Sequence, residues 1–176
     1  MGRRDDSAYV DFVNGASRSL RRTAYLVCGD WGLAEDLVQD ALLKLYVAWP
    51  RVAASEGVHA YARRTVVNVA IDAGRKSAKT PRAAKEVPEL PDRHDAMRAS
   101  DTRSVVMAGL HELPARARAC VVLRYFDDLS VEETAQVLGI STGTVKSQTS
   151  RGLDLLRTSL ERGGVSLDVV GGKDAS

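Results

Sequence analysis

Apolar residues recur three and four positions apart along nearly the whole chain, with polar residues between them. This is the period of a helix, and no segment alternates as a strand does. Val13, Ala16, Leu20, Ala24 and Val27 predict a first amphipathic helix over residues 8–27, closed by Gly29. Asp30 caps a second helix, whose inner stripe is Leu33, Leu37, Ala41, Leu45 and Ala48 and which Pro50 stops at residue 49. After a loop over residues 50–57, Val58, Ala62, Val66, Val69 and Ala73 mark a third helix over residues 58–76. Residues 78–100 lose the period and hold Pro81, Pro88 and Pro91 among alternating charges, the composition of a flexible linker. The helical pattern resumes at Asp101 with Val105, Val106, Leu110 and Leu113. Pro114 then opens a further helix through Val121, Val122, Leu123 and Tyr125, which ends near Asp127 and Asp128. The expected fold is all-α: two small helical domains, residues 1–77 and 101–162, joined by the linker at 78–100. Residues 163–176, flanked by glycines, read as a disordered tail.

The second domain ends in the grammar of a helix-turn-helix. Ser130 caps a helix beginning at Val131, and Glu133 completes a capping box. Val131, Ala135 and Leu138 form its apolar face, Gly139 supplies the left-handed terminus, and Ile140 plugs the turn. Ser141 caps a second helix that buries Val145, Leu153 and Leu156. Its other sides present Thr142, Thr144, Lys146, Ser147, Gln148, Ser150 and Arg151. Hydroxyls and free N–H groups at a helix start suit phosphate, and Lys, Gln and Arg further along reach base edges. A solvated face on an ordinary helical hairpin is the plainer alternative. The cap, turn and polar face all fall at the spacing that docks in a major groove, which favours DNA.

Composition narrows the classes. The chain has 176 residues and a formal net charge of +2, so affinity for nucleic acid must come from local patches rather than a global field. Cys28 and Cys120 stand apart inside apolar patterns as buried thiols, and His59, His94 and His111 are scattered, so neither a metal site nor another cofactor is expected. No nucleophile–base pairing or Gly-rich phosphate loop argues for an enzyme. With no signal core and no membrane-length apolar run, the expected location is cytoplasmic.

Two faces of the first domain have opposite character. Glu35, Asp36, Gln39 and Asp40 make an acidic ridge on the second helix, in which Asp36 and Asp40 repel each other at i,i+4. A solvated charged face is the plain reading, and a basic partner surface is the functional one. The third helix carries Arg63, Arg64, Arg75 and Lys76 off its apolar stripe, with Asn68 and Asp72 between them and Tyr46, Trp49 and Tyr61 around the preceding loop. Basic side chains beside aromatics and amides fit single-stranded or opened nucleic acid. For Trp49 core and function both stand, since one ring can serve either.

Four blocks together resemble the extracytoplasmic-function class of bacterial RNA polymerase sigma factors. They are AEDLVQDALLKLY (34–46), YARRTVVNVAIDAGRK (61–76), ELPARARACVVLRYFDDLSVEETAQVLGIS (112–141) and GTVKSQTSRGLDLLR (143–157), in the family's order and spacing. The resemblance implies a dissociable initiation subunit with no catalysis of its own. Its partners would be core RNA polymerase, promoter DNA both double-stranded and melted, and an anti-sigma factor. It places Glu35, Asp36, Gln39 and Asp40 on the clamp coiled coil of the largest polymerase subunit. Trp49, Tyr61, Arg63, Arg64, Asn68, Asp72, Arg75 and Lys76 would recognise and melt the −10 element. Ser141, Thr142, Thr144, Lys146, Ser147, Gln148, Ser150 and Arg151 would meet the −35 element, with Arg116 and Arg118 on phosphates. The linker, with Glu86, Glu89, Asp92 and Asp95, would thread the polymerase channels. Gln148 stands where many members carry a basic residue, so the −35 sequence read here differs if that position contacts bases. A stand-alone helix-turn-helix regulator is the rival that the second domain alone would suggest.

Overall fold

In the computed structural model, residues 6–53, 57–77 and 96–165 are described, and among them all regular structure is helical. Three long helices build the first unit: α1 (Ser7–Cys28), α2 (Trp31–Val52) and α3 (Val58–Ser77). The α1–α2 corner forms as its residue types require. Gly29 takes the left-handed conformation (φ 82°) and donates its N–H to the Tyr25 carbonyl, while the Asp30 carboxylate accepts from Leu33 N–H at 2.7 Å.

The second helix departs from expectation at its end. It runs through Pro50 to Val52 instead of stopping at residue 49. Pro50 falls in the final turn, so it removes one intrahelical donor near the end, and the N–H of Ala53 still closes on the Trp49 carbonyl at 2.8 Å. Burial of Trp49 and Val52 holds that turn to the core. Residues 50–52 of the predicted 50–57 loop are therefore helix, and residues 54–56 lie outside the described residues.

The inner stripes are also rotated from those predicted. On α2 the buried positions are Ala34, Val38, Ala41, Leu45, Trp49 and Val52, and Leu33, Leu37 and Ala48 flank them half-buried. On α3 they are Ala62, Val66, Val67, Ala70 and Ile71, with Val69 and Ala73 displaced to the edge. Small residues let three long helices approach closely, so alanines occupy positions that periodicity alone assigns to larger neighbours.

The second unit comprises α4 (Ala96–Glu112), α5 (Ala115–Val121), a π-helical turn (Val122–Phe126), α6 (Val131–Leu138) and α7 (Thr142–Arg162). The first of these starts at Ala96 rather than Asp101. The remainder of the predicted linker, with its acidic residues and prolines, and the tail from residue 166 lie outside the described residues. In the π-helical turn the Asp127 N–H bonds the Val122 carbonyl five residues back, at 3.1 Å. Leu110, Leu113, Val121, Val122, Leu123, Val145, Leu156 and Leu160 fill this core. The crossing of α7 over α5 depends on Gly152. A Cβ there would stand 2.7 Å from the Val121 Cγ2 and 3.3 Å from the Ala117 carbonyl oxygen.

The two units touch. Helices α1 and α3 pack against α4, α5, the π-helical turn and α6, and their buried residues join in one cluster.

Candidate polymerase and nucleic-acid interfaces

The outer side of α2 is set by the same geometry that buries its inner stripe. Glu35, Asp36, Gln39 and Asp40 are all exposed. Glu35 pairs with Arg21 at 3.5 Å, an exposed contact of little energetic weight. Asp36 and Asp40 have no cationic partner among the described residues. Their row continues down the helix as Leu43 and Val47, spaced four, three and four apart, which keeps all four on one face. Leu43 is 65% and Val47 71% exposed, unusual values for large aliphatics. Both line an open groove of about 630 Å³ with Lys44, Ala48, Pro50, Arg51 and Tyr61. Sequence reading stopped the ridge at Asp40. The signal for extending it is two aliphatics standing off the inner stripe at Asp40 +3 and +7.

On α3, Arg64, Asn68, Asp72, Arg75 and Lys76 are exposed and Arg63 is half-buried. Asp72 pairs with Arg75 at 3.7 Å, and Arg63 Nε lies 3.5 Å from Asp127 Oδ2 of the other unit. Tyr61 is half-buried on the groove described above. Trp49 is not on this face. It is 8% exposed and its ring meets Tyr9 edge-on at 5.1 Å and Phe12 at 5.7 Å, which assigns it to the core. Tyr46 likewise turns to α1, against Tyr9 at 5.0 Å.

The helix-turn-helix follows its predicted construction closely. Ser130 Oγ accepts from Glu133 N–H at 3.0 Å, and the Glu133 carboxylate accepts from Ser130 N–H at 2.7 Å. The Ser130 N–H, and then the Ser130 hydroxyl, hold the Glu133 carboxyl below its ordinary range. Gly139 is left-handed at φ 64°, and the Ile140 N–H reaches the Ala135 carbonyl at 3.1 Å. The buried face of α6 is Thr134, Ala135 and Val137, with Val131 and Leu138 half-buried beside it. Ser141 caps α7 by accepting from Thr144 N–H at 3.1 Å. Thr142, Lys146, Ser147, Ser150 and Arg151 are exposed, and Thr144 and Gln148 are half-buried. Inside, α7 buries Val145, Thr149, Gly152, Leu156, Ser159 and Leu160, and Leu153 is half-buried. A capped helix start with a polar, basic outer side is thus held rigidly by the core beneath it.

Arg116 is exposed at the start of α5, as a phosphate contact requires. Arg118 is not. It is 5% exposed, and its guanidinium donates to the carbonyls of Val27 (2.7 Å), His111 (2.9 Å) and Leu113 (3.0 Å). The resemblance put both arginines on phosphates, but residues two apart on a helix do not share a face, so with Arg116 outward Arg118 turns inward. Both cysteines are buried, and burial pushes the Cys120 thiol up to about 11. Among the described residues no group of His, Cys, Asp and Glu could hold a metal, and no helix is long and apolar enough to cross a membrane.

Two family models match these same two units. The model described as Sigma-70 region 2 matches residues 12–80, and that described as Sigma-70, region 4 matches residues 103–156. The RNA polymerase sigma-E factor of Streptomyces avermitilis is 36% identical over 157 residues, covering 87% of this chain and 85% of its own. The ECF RNA polymerase sigma factor SigM of Mycobacterium tuberculosis is 33% identical, covering 84% of this chain and 74% of its own. The chain belongs to the extracytoplasmic-function class of RNA polymerase sigma factors. As such it directs RNA polymerase to promoters, with a DNA-binding region 4, and sigma factors are initiation factors rather than enzymes. The sigma factor RpoE of Bartonella quintana, solved in complex with the anti-sigma factor NepR, shares the fold. Its TM-score is 0.70 at 23% identity, over 88% of this chain and 97% of that one.

Proposed function

We propose that this sigma factor grips a promoter at two points, each of which is weak alone. The stripe of Asp36, Gln39 and Asp40 docks on the clamp coiled coil of the largest polymerase subunit, and Leu43 and Val47 extend it with an apolar seat. Acidic residues beside exposed aliphatics suit a helical partner that presents basic and apolar residues together. Helix α3 then meets the −10 element and promotes melting through Tyr61, Arg63, Arg64, Asn68, Asp72, Arg75 and Lys76. Its exposed basic and amide groups, next to a groove that Tyr61 helps to line, support that role. Helix α7 enters the major groove of the −35 element, with Lys146 and Arg151 as the strongest candidates for base or phosphate contact and Arg116 on the backbone. An anti-sigma factor covering these faces is a natural regulator, given the NepR complex of the Bartonella relative.

The observation that carries the reading is the pairing of an exposed acidic–apolar stripe on one unit with a recognition helix capped by Ser141 on the other. A net charge of +2 agrees with it, since a regulator gripping DNA unaided needs more phosphate contacts. Run-off transcription with core polymerase on genomic DNA, with mapping of start sites, tests it. Lys146→Ala and Arg151→Ala should each lower cognate run-off by roughly tenfold, the loss of a contact worth about 1–3 kcal/mol, while co-purification with core is unchanged. Undiminished transcription in both variants removes the −35 assignment. Tight binding to a palindromic site without core would favour the stand-alone regulator instead.

A further inference from the structure

Where the two units meet, the cations withdrawn from solvent have acceptors. The buried guanidinium of Arg118 donates to the Val27 carbonyl at 2.7 Å. Arg63 Nε lies 3.5 Å from the Asp127 carboxylate, which also accepts the Thr23 hydroxyl at 2.9 Å. One place breaks this pattern. A cleft of about 140 Å³ runs between α3 and the helix-turn-helix, and each wall brings a guanidinium to it, Arg75 from α3 and Arg116 from α5. Arg116 is exposed and has no ion pair among the described residues. Arg75 has Asp72 of its own helix at 3.7 Å, in a pair with 50% of the one side chain and 70% of the other exposed. A pair so open to water contributes little. The rim thus sets two cations against one anion, and like charges facing each other across a contact are unfavourable unless an anion lies between them.

The rest of the cleft suits a small anion. Asn68, Asp72 and Arg75 fall at i, i+4 and i+7 on one face of α3, so the Asn68 amide adds a donor to the same space. Ile71 is buried, and with half-buried Leu138 and Ile140 it makes an apolar side that excludes water. Charge-assisted hydrogen bonds gain strength in such surroundings. Pockets that enclose drug-sized molecules measure roughly 300–1,000 Å³. At about 140 Å³ this cleft has room for a phosphate or two, and a sugar and base attached to them would stay outside it.

We propose that the cleft is a binding site for a diphosphate group, held between the guanidiniums of Arg75 and Arg116 and by the Asn68 amide. The planar fork of a guanidinium meets phosphate oxygens two at a time, and forks from two walls fit a group with two phosphates. On binding, Arg75 exchanges the Asp72 carboxylate for a phosphate, and Asp72 keeps its water. Neither unit forms the site alone, since each supplies one guanidinium. Free pyrophosphate and the diphosphate end of a nucleotide present the same chemistry.

Isothermal titration of the full chain with inorganic pyrophosphate, without polymerase or DNA and at about 0.15 M ionic strength, tests the site. The wild type should show saturable binding, one anion per chain, in the micromolar range. Arg75→Gln and Arg116→Gln should each weaken it by about tenfold or more, the loss of charge-assisted hydrogen bonds. Arg157→Gln removes the same charge from an exposed position on α7 and should bind as the wild type does. All three arginines are exposed, so helical circular dichroism should be unchanged in every variant. Titration with ADP separates the two sources: tighter binding than pyrophosphate identifies a nucleotide, and equal or weaker binding identifies the free anion. Absence of saturable pyrophosphate binding overturns the site. So does a loss below about twofold in either cleft variant, or an equal loss in Arg157→Gln, which would mark general attraction to basic side chains. Tight binding of a random-sequence duplex by a chain that ignores pyrophosphate would make the cleft a DNA contact instead. No promoter enters these titrations, so their outcome is independent of the two-point reading above.

Discussion

Asp36→Lys combined with Asp40→Lys should abolish association with core polymerase, weakening it by on the order of 100-fold or more. Close charge pairs across protein interfaces couple by about 1.5–7 kcal/mol, and reversal replaces attraction by repulsion at two positions on one face. Both side chains are exposed and free of intramolecular ion pairs among the described residues, so the fold has little to lose. Exposed substitutions of this kind change stability by about 0.5 kcal/mol or less. The i,i+4 repulsion is retained, now between two cations instead of two anions. Co-purification with core, alongside a thermal melt of the isolated variant, measures the two effects apart. Normal recovery of core with the double variant would falsify the docking assignment. Leu43→Ala and Val47→Ala sharpen the same experiment, because they remove apolar contact without touching charge.

Gly152→Val should destabilise the second unit by about 3 kcal/mol, the upper range for forcing extra volume into a packed helix crossing. The first added carbon already stands 2.7 Å from Val121 Cγ2, 3.3 Å from the Ala117 carbonyl and 3.4 Å from Leu113 Cδ2. None of these is the free end of a long side chain that could swing aside. The gain from replacing a mid-helix glycine, about 1 kcal/mol, is too small to offset the displacement of α7 from α5. Urea denaturation followed by helical signal should show a lower midpoint, and −35 binding should fall with it because α7 carries the recognition face. An unchanged midpoint would mean that the crossing relaxes at no cost.

Local chemistry was the most legible part of this sequence. The Ser130–Glu133 capping box, the helix-ending glycines and the turn at Ile140 depend on residues within a few positions of one another, and each formed as read. The family blocks led to the fold class in the same way. What escaped was set by packing between distant segments. Pro50 did not stop α2 because Trp49 packs on Tyr9 and Phe12 of α1 and Val52 is buried. The ring of Trp49 went to the core because Tyr9 and Phe12, some forty positions earlier, receive it. Arg118 reads as a surface cation in any sequence window, and only the free carbonyl at Val27, across the linker, gives it a buried place. Leu43 and Val47 were passed over for the opposite reason: an aliphatic in a helical pattern is assigned inward unless the stripe's rotation is known.

The π-helical turn settles a question of angular phase. At 3.6 residues per turn, the nine positions from Arg118 to Asp127 make two and a half turns, which would point the two side chains to opposite sides of a regular helix. Five residues, Val122–Phe126, occupy a turn that an α-helix fills with four, and the underwinding swings Asp127 back toward the side on which Arg118 already meets α1. Two anchors on a single continuous segment can then grasp the same neighbour. The fit between the halves of this sigma factor is thus encoded less in the composition of their surfaces than in the pitch of one short stretch of backbone.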